Sequence, residues 1–376
     1  MKDADELYKP ELKYNIQIDG IALESASSGS KVNVIQSGFI TSIQDDLPIK
    51  FDTLLAPFYP KKLSSLNKAL VIIKKDKTAK IYPDFPLSMY ANARGDVVEG
   101  QDITEEDIFD IKSIEFKDKN YEVNIEATDK IIFLFRVKWA FGLYFDLSSN
   151  IDVQKLKESI GYFYKRLFYS ELYRFIENKG YFETSIKDGW FPFIRLIGNN
   201  FNKIMTYYKE GKKHDFHIDE LIQIFTKEKI ESFTKYWWNK GIFNTKKKIL
   251  EAGINSFLRN DDEGFINCIN TLYPQIEGIM GSDYFRVHNK KPSFPELKDY
   301  IKQKGESKYN TLSSIAFPSE FYSYLDKTVF ENFDLTTGKV DLSRHTTSHG
   351  YADANDFNKA KALQSILILD QIYFYL

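Results

Sequence analysis

The chain has 376 residues, of which 43% are hydrophobic and 28% are charged, and its formal net charge is −2. This composition is typical of globular proteins and argues against disorder, while the small net charge argues against a protein that grips duplex nucleic acid through a generally positive surface. Cys268 is the single cysteine, which excludes an intramolecular disulfide and a thiolate zinc cluster and fits a reducing compartment.

Neither the amino terminus nor the most apolar stretch has the pattern of an export or membrane signal. The first residues are charged and lack an apolar core, and the apolar stretch 131–145 is interrupted by Arg136 and Lys138. We therefore expect a soluble protein of the cytoplasm, with no membrane partner.

Residues 14–149 carry the pattern of β-strands. Short apolar runs such as 69–73 and 121–125 are separated by Pro, Gly and Asp-Lys turns, and residues 130–147 predict a long pair of buried strands. The N-terminal part of the chain is therefore predicted to form a β-rich domain, whose role the sequence does not indicate.

A period of 3.6 residues takes over beyond Asp152 and predicts a helical C-terminal half. The predicted helices cover residues 153–179, 191–209, 218–238, 244–258, 263–280 and 355–375. Because strands and helices do not alternate, a doubly wound parallel sheet is not expected. The prediction is an α+β protein in which an N-terminal β-rich domain, residues 1–150, precedes an all-α helical bundle, residues 151–376.

Common nucleotide-binding and hydrolase motifs, such as a Gly-rich phosphate loop, HExxH or GxSxG, do not occur in the sequence. His214 and His217 lie beside Asp215, Asp219 and Glu220, and these side chains could in principle ligate a divalent metal. They also lie where a loop enters a predicted helix. That position favours Asp215 as the N-cap, with acids in the first turn, over a metal site.

Two further patterns are interpreted as packing. The adjacent Trp237 and Trp238 could stack RNA bases, but neighbouring indoles in a helix favour one buried and one half-buried ring. Apolar residues within 363–374 cover more than one face of the last helix, which favours burial in the core over a stripe at a dimer interface. Asp370 inside this run should be paired or lie at an edge.

Residues 342–350, Leu-Ser-Arg-His-Thr-Thr-Ser-His-Gly, concentrate polar side chains just ahead of the last predicted helix. The three residues 346–348 are poor helix formers, and a glycine such as Gly350 commonly follows a helix end in the left-handed conformation. The sequence therefore predicts a short helix that ends at His349, where unpaired helical carbonyls favour the protonated imidazole.

Arg344 and His349 are five residues apart, about 140° around an ideal helix, so they do not share a face. A site that uses both side chains needs completion from elsewhere. His345 and His349 do share a face and could form a metal pair or a stacked pair of histidines. Because an arginine followed by a histidine at this spacing also arises by chance, the spacing alone indicates no more than a structural role.

The segment Arg344-His345-Thr346-Thr347-Ser348-His349, ahead of a terminal helix in an all-α domain, resembles the R-x4-6-H signature of the HEPN superfamily of ribonucleases. His345 fits this resemblance, since the residue after the arginine is usually Asn, Asp or His. Residues 244–282, with Pro-Gln-Ile-Glu-Gly at 274–278, look like a largely uncharacterised bacterial HEPN-like family that pairs such a helix with an Arg-His…His-Gly motif. The resemblance covers about residues 185–376. Ser343 stands where the common form of the motif has Asn.

That resemblance implies a metal-independent endoribonuclease, without a cofactor, that cleaves single-stranded or looped RNA by attack of the 2′-hydroxyl. It implies catalytic roles for His349 in proton transfer and for Arg344 in holding the phosphate charge. Such proteins are often toxins or abortive-infection effectors in phage defence. RNA, a second copy of the chain bound through the helical domain, and an antitoxin or defence-system protein are therefore the expected partners. In the homodimer the arginine and histidine of two protomers meet across a twofold interface.

Glu277 lies among apolar residues in the second stretch of the resemblance. It could orient Arg344 or pair with His349, or it could simply cap or face solvent at a helix break introduced by Pro274. An alternative function is a catalytically inactive HEPN-fold module that binds a nucleotide or a partner protein in a defence system.

Overall fold

The structure is a computed structural model, and it describes residues 9–42, 52, 66–309, 314–331, 343, 346–347 and 350–376. A β-rich N-terminal region is followed by a helical C-terminal region, which confirms the α+β class predicted from the sequence. Contacts between Cα atoms divide the chain into two compact units. The first comprises Met1–Asn92 and Ile111–Ser170, and the second comprises Ala93–Asp110 and Glu171–Leu376.

The strands of the described residues form one large and two small sheets. In chain order they are β1 (Glu11–Lys13), β2 (Ile21–Ala22), β3 (Val34–Ile35), β4 (Ser37–Ser42), β5 (Lys68–Ile73), β6 (Ala79–Pro83), β7 (Ser88–Ala93), β8 (Ile108–Glu115), β9 (Lys130–Val137) and β10 (Ala140–Asp146). Six of them build an antiparallel sheet in the order β1-β6-β5-β9-β10-β4. β2 pairs with β3, and β7 pairs with β8.

The hairpin of β9 and β10 confirms the buried strand pair predicted for residues 130–147. Leu134 of β9 lies opposite Leu143 of β10, and in the connecting turn Lys138 adopts a φ of 55°. Both strands are apolar on their two faces because both faces of the sheet are covered.

The prediction of a strand at 121–125 is wrong. The segment makes an isolated bridge from Glu122 to Lys117 instead of a ladder. Asp118 Oδ1 accepts a hydrogen bond of 2.9 Å from the backbone N–H of Tyr121, and this side chain closes a tight turn at the point where the strand would begin.

An apolar cluster covers one face of the large sheet, and it consists of Ile16, Ala69, Val71, Ile73, Ala79, Ile81, Ile132, Leu134, Phe141, Leu143, Phe145 and Leu147. The other face packs against α1 (Val153–Phe168), where Phe163 stacks on Phe39 with ring centroids 4.0 Å apart. A Cβ atom at Gly161 would lie 2.6 Å from the Cα of Ser113 in β8. Only a glycine allows α1 to approach β8 so closely.

The helices after α1 belong to the second unit, apart from the first residue of α2. They are α2 (Ser170–Glu177), α3 (Lys179–Lys187), α4 (Asn199–Lys209), α5 (Phe216–Gln223), α6 (Lys227–Thr234), α7 (Gly241–Asn244), α8 (Lys247–Leu258), α9 (Asp262–His288), α10 (Phe294–Tyr309), α11 (Pro318–Tyr324) and α12 (Lys359–Tyr375). Short 3-10 turns occur at Lys235–Asn239 and Ala354–Asp356, and a π-helical turn occurs at Leu325–Val329.

The long helix α9 passes through Pro274 without a break, in agreement with the single helix predicted for residues 263–280, so Glu277 does not lie at a helix break. Proline removes one backbone hydrogen bond from the helix interior. Asn270, whose carbonyl loses that bond, is exposed, so water can satisfy the carbonyl. The helix predicted for 191–209 begins only at Asn199, because Gly198 adopts a φ of 103° at the N-cap position.

The last helix, α12, lies in the centre of the second unit, and every residue from Ala362 to Ile372 is buried. This confirms core packing as the role of its apolar residues. Its buried Gln371 accepts a hydrogen bond from the backbone N–H of Ile194 at 2.9 Å and donates one to the carbonyl of Ala316 at 3.1 Å. The helix therefore connects two other segments of the unit through specific polar contacts as well as apolar ones.

Candidate functional site

Ser343 and Thr346 cap each other within the segment that resembles the ribonuclease motif. The backbone N–H of Ser343 donates to Thr346 Oγ1 at 2.7 Å, and the backbone N–H of Thr346 donates to Ser343 Oγ at 3.3 Å. This reciprocal pair is a capping box. Both residues are buried, so water cannot replace the two hydrogen bonds.

Gly350 ends the same segment in the left-handed conformation, with a φ of 73°. Its backbone N–H donates to the carbonyl of Thr347 at 3.4 Å, and that of Tyr351 donates to the carbonyl of Thr346 at 2.9 Å. These two bonds form a Schellman motif. The left-handed glycine predicted from the sequence is therefore confirmed, and Thr346 and Thr347 are helical as expected.

The three polar residues that drew attention to this segment, Arg344, His345 and His349, lie outside the residues that the structure describes. Their mutual distances and their contacts stay predictions. Their described neighbours, Ser343 and Gly350, show that the segment starts at a buried cap and ends at a left-handed glycine.

Glu277 is half-buried on α9 and lines a surface groove of about 540 Å³. Gly278 and Gly281 line the groove as well, and a Cβ atom at Gly281 would meet nothing within 4 Å. Phe285, which is 53% exposed, lies along the same side of the helix. Glu277 is thus accessible from an open groove beside glycines, although most of its apolar neighbours in sequence are buried.

The carboxyl end of α9 is tied to α10 by a buried carboxylate. Asp283 accepts hydrogen bonds of 2.7 Å from the Tyr300 hydroxyl and from Arg286 Nη2. Burial would raise the pKa of Asp283, but the hydrogen bonds from Tyr300 and Arg286, with the charge of Arg286, outweigh burial and lower this pKa. The His288 ring lies 4.3 Å from that of Tyr284.

Both histidines at the start of α5 lie near Glu210. The Nε2 atoms of His214 and His217 lie 3.8 and 3.7 Å from Oε2 of Glu210. Asp215 occupies the predicted N-cap position, but its side chain makes no capping hydrogen bond. Within the part of the chain that the structure describes, no group of three or more His, Cys, Asp or Glu side chains is placed to hold a metal ion.

Trp237 is fully buried and donates from Nε1 to Asp370 at 2.8 Å, while Trp238 is half-buried. This confirms that the pair packs as one buried and one half-buried ring. Asp370 is also paired, as its place in an apolar helix required.

A second polar site in the helical unit was not found from the sequence. It is a cleft of about 290 Å³, and its lining comprises Arg94, Gly95, Asp96, Glu106, Asp107, Arg195, Lys229, Ser232, Phe233, Lys235 and Tyr236. The guanidinium of Arg195 lies 4.9 Å from the centre of the Phe233 ring and 4.9 Å from that of Phe374.

Two of the three guanidinium nitrogens of Arg195 have acceptors. Nε donates to Asp370 Oδ2 at 2.8 Å, and Nη1 donates to the carbonyl of Arg94 at 2.5 Å. Nη2 is buried and has no hydrogen-bond partner among the residues that the structure describes. The available signal in the sequence was a pair of opposite charges inside apolar runs, Arg195 within 191–197 and Asp370 within 363–374.

Lys240 and Lys308 bind the carboxyl end of α12. Lys240 Nζ donates to the carbonyl of Tyr373, and Lys308 Nζ donates to the carbonyl of Phe374 at 2.7 Å. Burial lowers the pKa of Lys240 to about 7, and the nearby charge of Lys308 acts in the same direction. The Lys240 amine therefore changes its charge near neutral pH.

None of the described helices combines the length and the apolar character needed to cross a membrane. Comparison of the chain with family models, curated proteins and solved structures finds no match.

Proposed function

We propose that this chain is a metal-independent endoribonuclease of the HEPN type that cleaves single-stranded or looped RNA. The sequence motif of Arg344 and His349 suggests the chemistry. The observation that carries the proposal is the capping of the segment that holds them, by Ser343 at its start and by Gly350 at its end. Catalysis by a pair of side chains requires precise placement of both groups, since small displacements of the reacting groups cost large factors in rate. Caps at the two ends of a segment favour such placement.

The capping box also gives a physical reason why Ser343 can stand where the resembling family has Asn. Serine and asparagine are about equally good N-cap residues, because the side-chain oxygen of each accepts a hydrogen bond from an amide of the first turn. The departure from the common motif therefore preserves the structural role that Ser343 has here.

The proposed reaction is a transesterification at one phosphodiester. The 2′-hydroxyl loses its proton to the neutral imidazole of His349 and attacks the adjacent phosphorus. The bond between the phosphorus and the 5′-oxygen breaks, and that oxygen takes a proton from the imidazolium of His349. Arg344 donates to the nonbridging oxygens, where negative charge develops. The products are a 2′,3′-cyclic phosphate and a 5′-hydroxyl.

A homodimer through the helical domain would complete this site. Arg344 and His349 are about 140° apart on an ideal helix, so each protomer presents its two groups in different directions, and a twofold axis brings the groups of two protomers together. An RNA-cleaving effector of phage defence, with an antitoxin or another defence protein as its regulator, is the cellular role that we propose.

The test is cleavage of a total RNA pool in buffer that contains EDTA. Arg344→Ala and His349→Ala should each lower the rate by roughly 10²-fold or more and leave the thermal transition nearly unchanged. Arg259→Ala and His214→Ala are the matched controls, since both side chains are about half exposed and lie outside the motif. They should cleave at the wild-type rate.

Full activity in both motif variants, or products with 5′-phosphate ends, would contradict the proposal. RNA binding by the wild-type chain without any cleavage would point instead to the inactive binding module.

A further inference from the structure

Arg195 is held so that one of its donors stays unused. The side chain is 8% exposed, two nitrogens are bound to Asp370 and to the Arg94 carbonyl, and two aromatic rings flank the guanidinium. The remaining nitrogen, Nη2, is buried, and no described residue accepts a hydrogen bond from it. An unpaired buried donor on a charged group is costly, so its usual explanation in a folded protein is an acceptor supplied by a ligand, an ion or water.

The acids that line the cleft are already hydrogen-bonded within the protein. Asp107 Oδ2 accepts from the amide and the hydroxyl of Thr104 at 2.9 and 2.8 Å. Glu106 Oε1 accepts from the backbone N–H of Asn199 at 2.9 Å, and Asp96 is paired with a lysine at 3.4 Å. These carboxylates are therefore occupied in holding the cleft walls.

Lys229 differs from these groups, because its ammonium makes no hydrogen bond or ion pair shorter than 4 Å among the described residues. It lies on α6, whereas Arg195 lies between α3 and α4. Four cationic and three acidic side chains line the cleft in all. Arg195 and Lys229 thus line one small cavity from two separate segments of the fold.

We infer that this cleft binds a phosphate group. A tetrahedral oxyanion presents its oxygens in several directions, so it can accept from the Arg195 guanidinium and from the Lys229 ammonium at once, whereas a carboxylate presents two oxygens in one plane. A volume of about 290 Å³ lies at the small end of the range for ligand sites and fits a phosphate with no more than a nucleoside attached. Asp370 offsets the charge of Arg195, so free phosphate should bind with a Kd on the order of 1 mM.

The inference does not depend on the proposed ribonuclease activity, and its test uses binding alone. The full chain is titrated at constant ionic strength with inorganic phosphate, adenosine 5′-monophosphate and a short single-stranded RNA, with acetate as the control anion. Lys229→Met removes one proposed donor. Lys227→Met is the matched control on the same helix, since its ammonium lies 3.9 Å from Glu231 and does not line the cleft.

Phosphate should bind wild type and Lys227→Met alike, and Lys229→Met should bind it about tenfold more weakly, the loss expected for one charge-assisted hydrogen bond. Arg195→Lys should also weaken binding, and if it does not fold, the two lysine variants decide. Binding of adenosine 5′-monophosphate that Lys229→Met weakens identifies a free nucleotide as the source of the phosphate. Binding of the RNA alone, weakened by Lys229→Met but not by Lys227→Met, identifies a strand. Acetate binding as tight as phosphate binding, equal phosphate affinity in both lysine variants, or no binding of any phosphate compound would overturn the inference.

Discussion

Asp370 and Arg195 form a buried ion pair across 175 positions of sequence, with Arg195 Nε donating to Asp370 Oδ2 at 2.8 Å. The second oxygen of Asp370 accepts from Trp237 Nε1 at 2.8 Å. Both charged groups are removed from water, so each depends on the other for compensation, and removal of one leaves an isolated charge in the core.

We expect Asp370→Asn to lower the free energy of unfolding by about 3 kcal/mol, because Arg195 would stay buried without its counter-charge. Urea titration followed by far-UV circular dichroism measures the change. Glu263→Gln is the control, since it breaks an exposed ion pair of 2.7 Å with Arg259 and should cost less than about 1 kcal/mol. If both variants lost the same free energy of unfolding, Asp370 and Arg195 would not be a buried pair in which each charge depends on the other.

The parts of the fold that could be predicted are those that depend on the order of apolar and polar residues within a short stretch of sequence. Two apolar runs with a turn between them predict the β9–β10 hairpin, and apolar residues on all faces of α12 predict its burial. α10 was missed because its sequence is mostly polar and charged, so its few buried positions give a weak period. The helix predicted for residues 263–280 continues through Pro274, because packing along α9 outweighs the local cost of a proline.

The candidate sites also fall into those set by neighbouring residues and those assembled from distant segments. Gly350 and the capping residues act on their immediate neighbours, so their conformation could be anticipated from a few letters of sequence. The cleft at Arg195 is assembled from three distant segments, and a single sequence contains no signal for which segments meet. The sequence could say that Asp370 needs a partner but could not say which residue it is.

Gly350→Ala should destabilise the chain by about 1 kcal/mol, because its φ of 73° is costly for any residue with a Cβ atom. A Cβ at this position would meet no described residue within 4 Å, so the effect is expected to come from the backbone. Gly281→Ala is the matched control, since Gly281 also has open space but lies in the helix α9, and there alanine should be neutral or stabilising. Thermal unfolding distinguishes the two, and a loss of stability of the same size in both would contradict the backbone argument.

Ser343 allows the capping box to be tested apart from the catalytic residues. Ser343→Ala removes the acceptor for the Thr346 amide and should cost about 1 kcal/mol in stability. If the cap also fixes the catalytic segment, RNA cleavage should fall in this variant, and Ser343→Asn should restore both stability and cleavage, because asparagine caps as well as serine. Cleavage that is unaffected by Ser343→Ala, measured under conditions where the variant is folded, would separate the cap from the proposed activity.

Glu277 lines an open groove, and we propose that its carboxylate helps to orient Arg344. Glu277→Gln should then lower the RNA cleavage rate by roughly tenfold, because a neutral amide forms a weaker hydrogen bond to a guanidinium than a carboxylate does. Glu251→Gln on α8 is the control, since that acid pairs with Lys247 at the surface. Loss of cleavage in Glu277→Gln with unchanged RNA affinity supports the orienting role. If Glu277→Gln lowered the Tm as well as the cleavage rate, the loss of cleavage would be attributed to a structural role of the residue.

Lys240 makes the stability of the helical unit depend on pH. Its pKa in the folded chain is about 7, against an ordinary value of 10.5, so as the pH falls between these values the unfolded chain takes up a proton that the folded chain does not. Stability contributed by the neutral amine is therefore present above pH 10.5 and is lost as the pH falls, with the loss complete below about pH 7.

Lys240→Met removes this titration, so the Tm of the variant minus that of wild type should become more positive as the pH falls from about 9 to about 6. Differential scanning calorimetry at several pH values in this window measures the trend. Lys247→Met, at a half-exposed lysine of α8 that pairs with Glu251, should give the same Tm difference throughout. A flat profile for Lys240→Met would mean that its amine stays charged in the fold, held by the carbonyl of Tyr373.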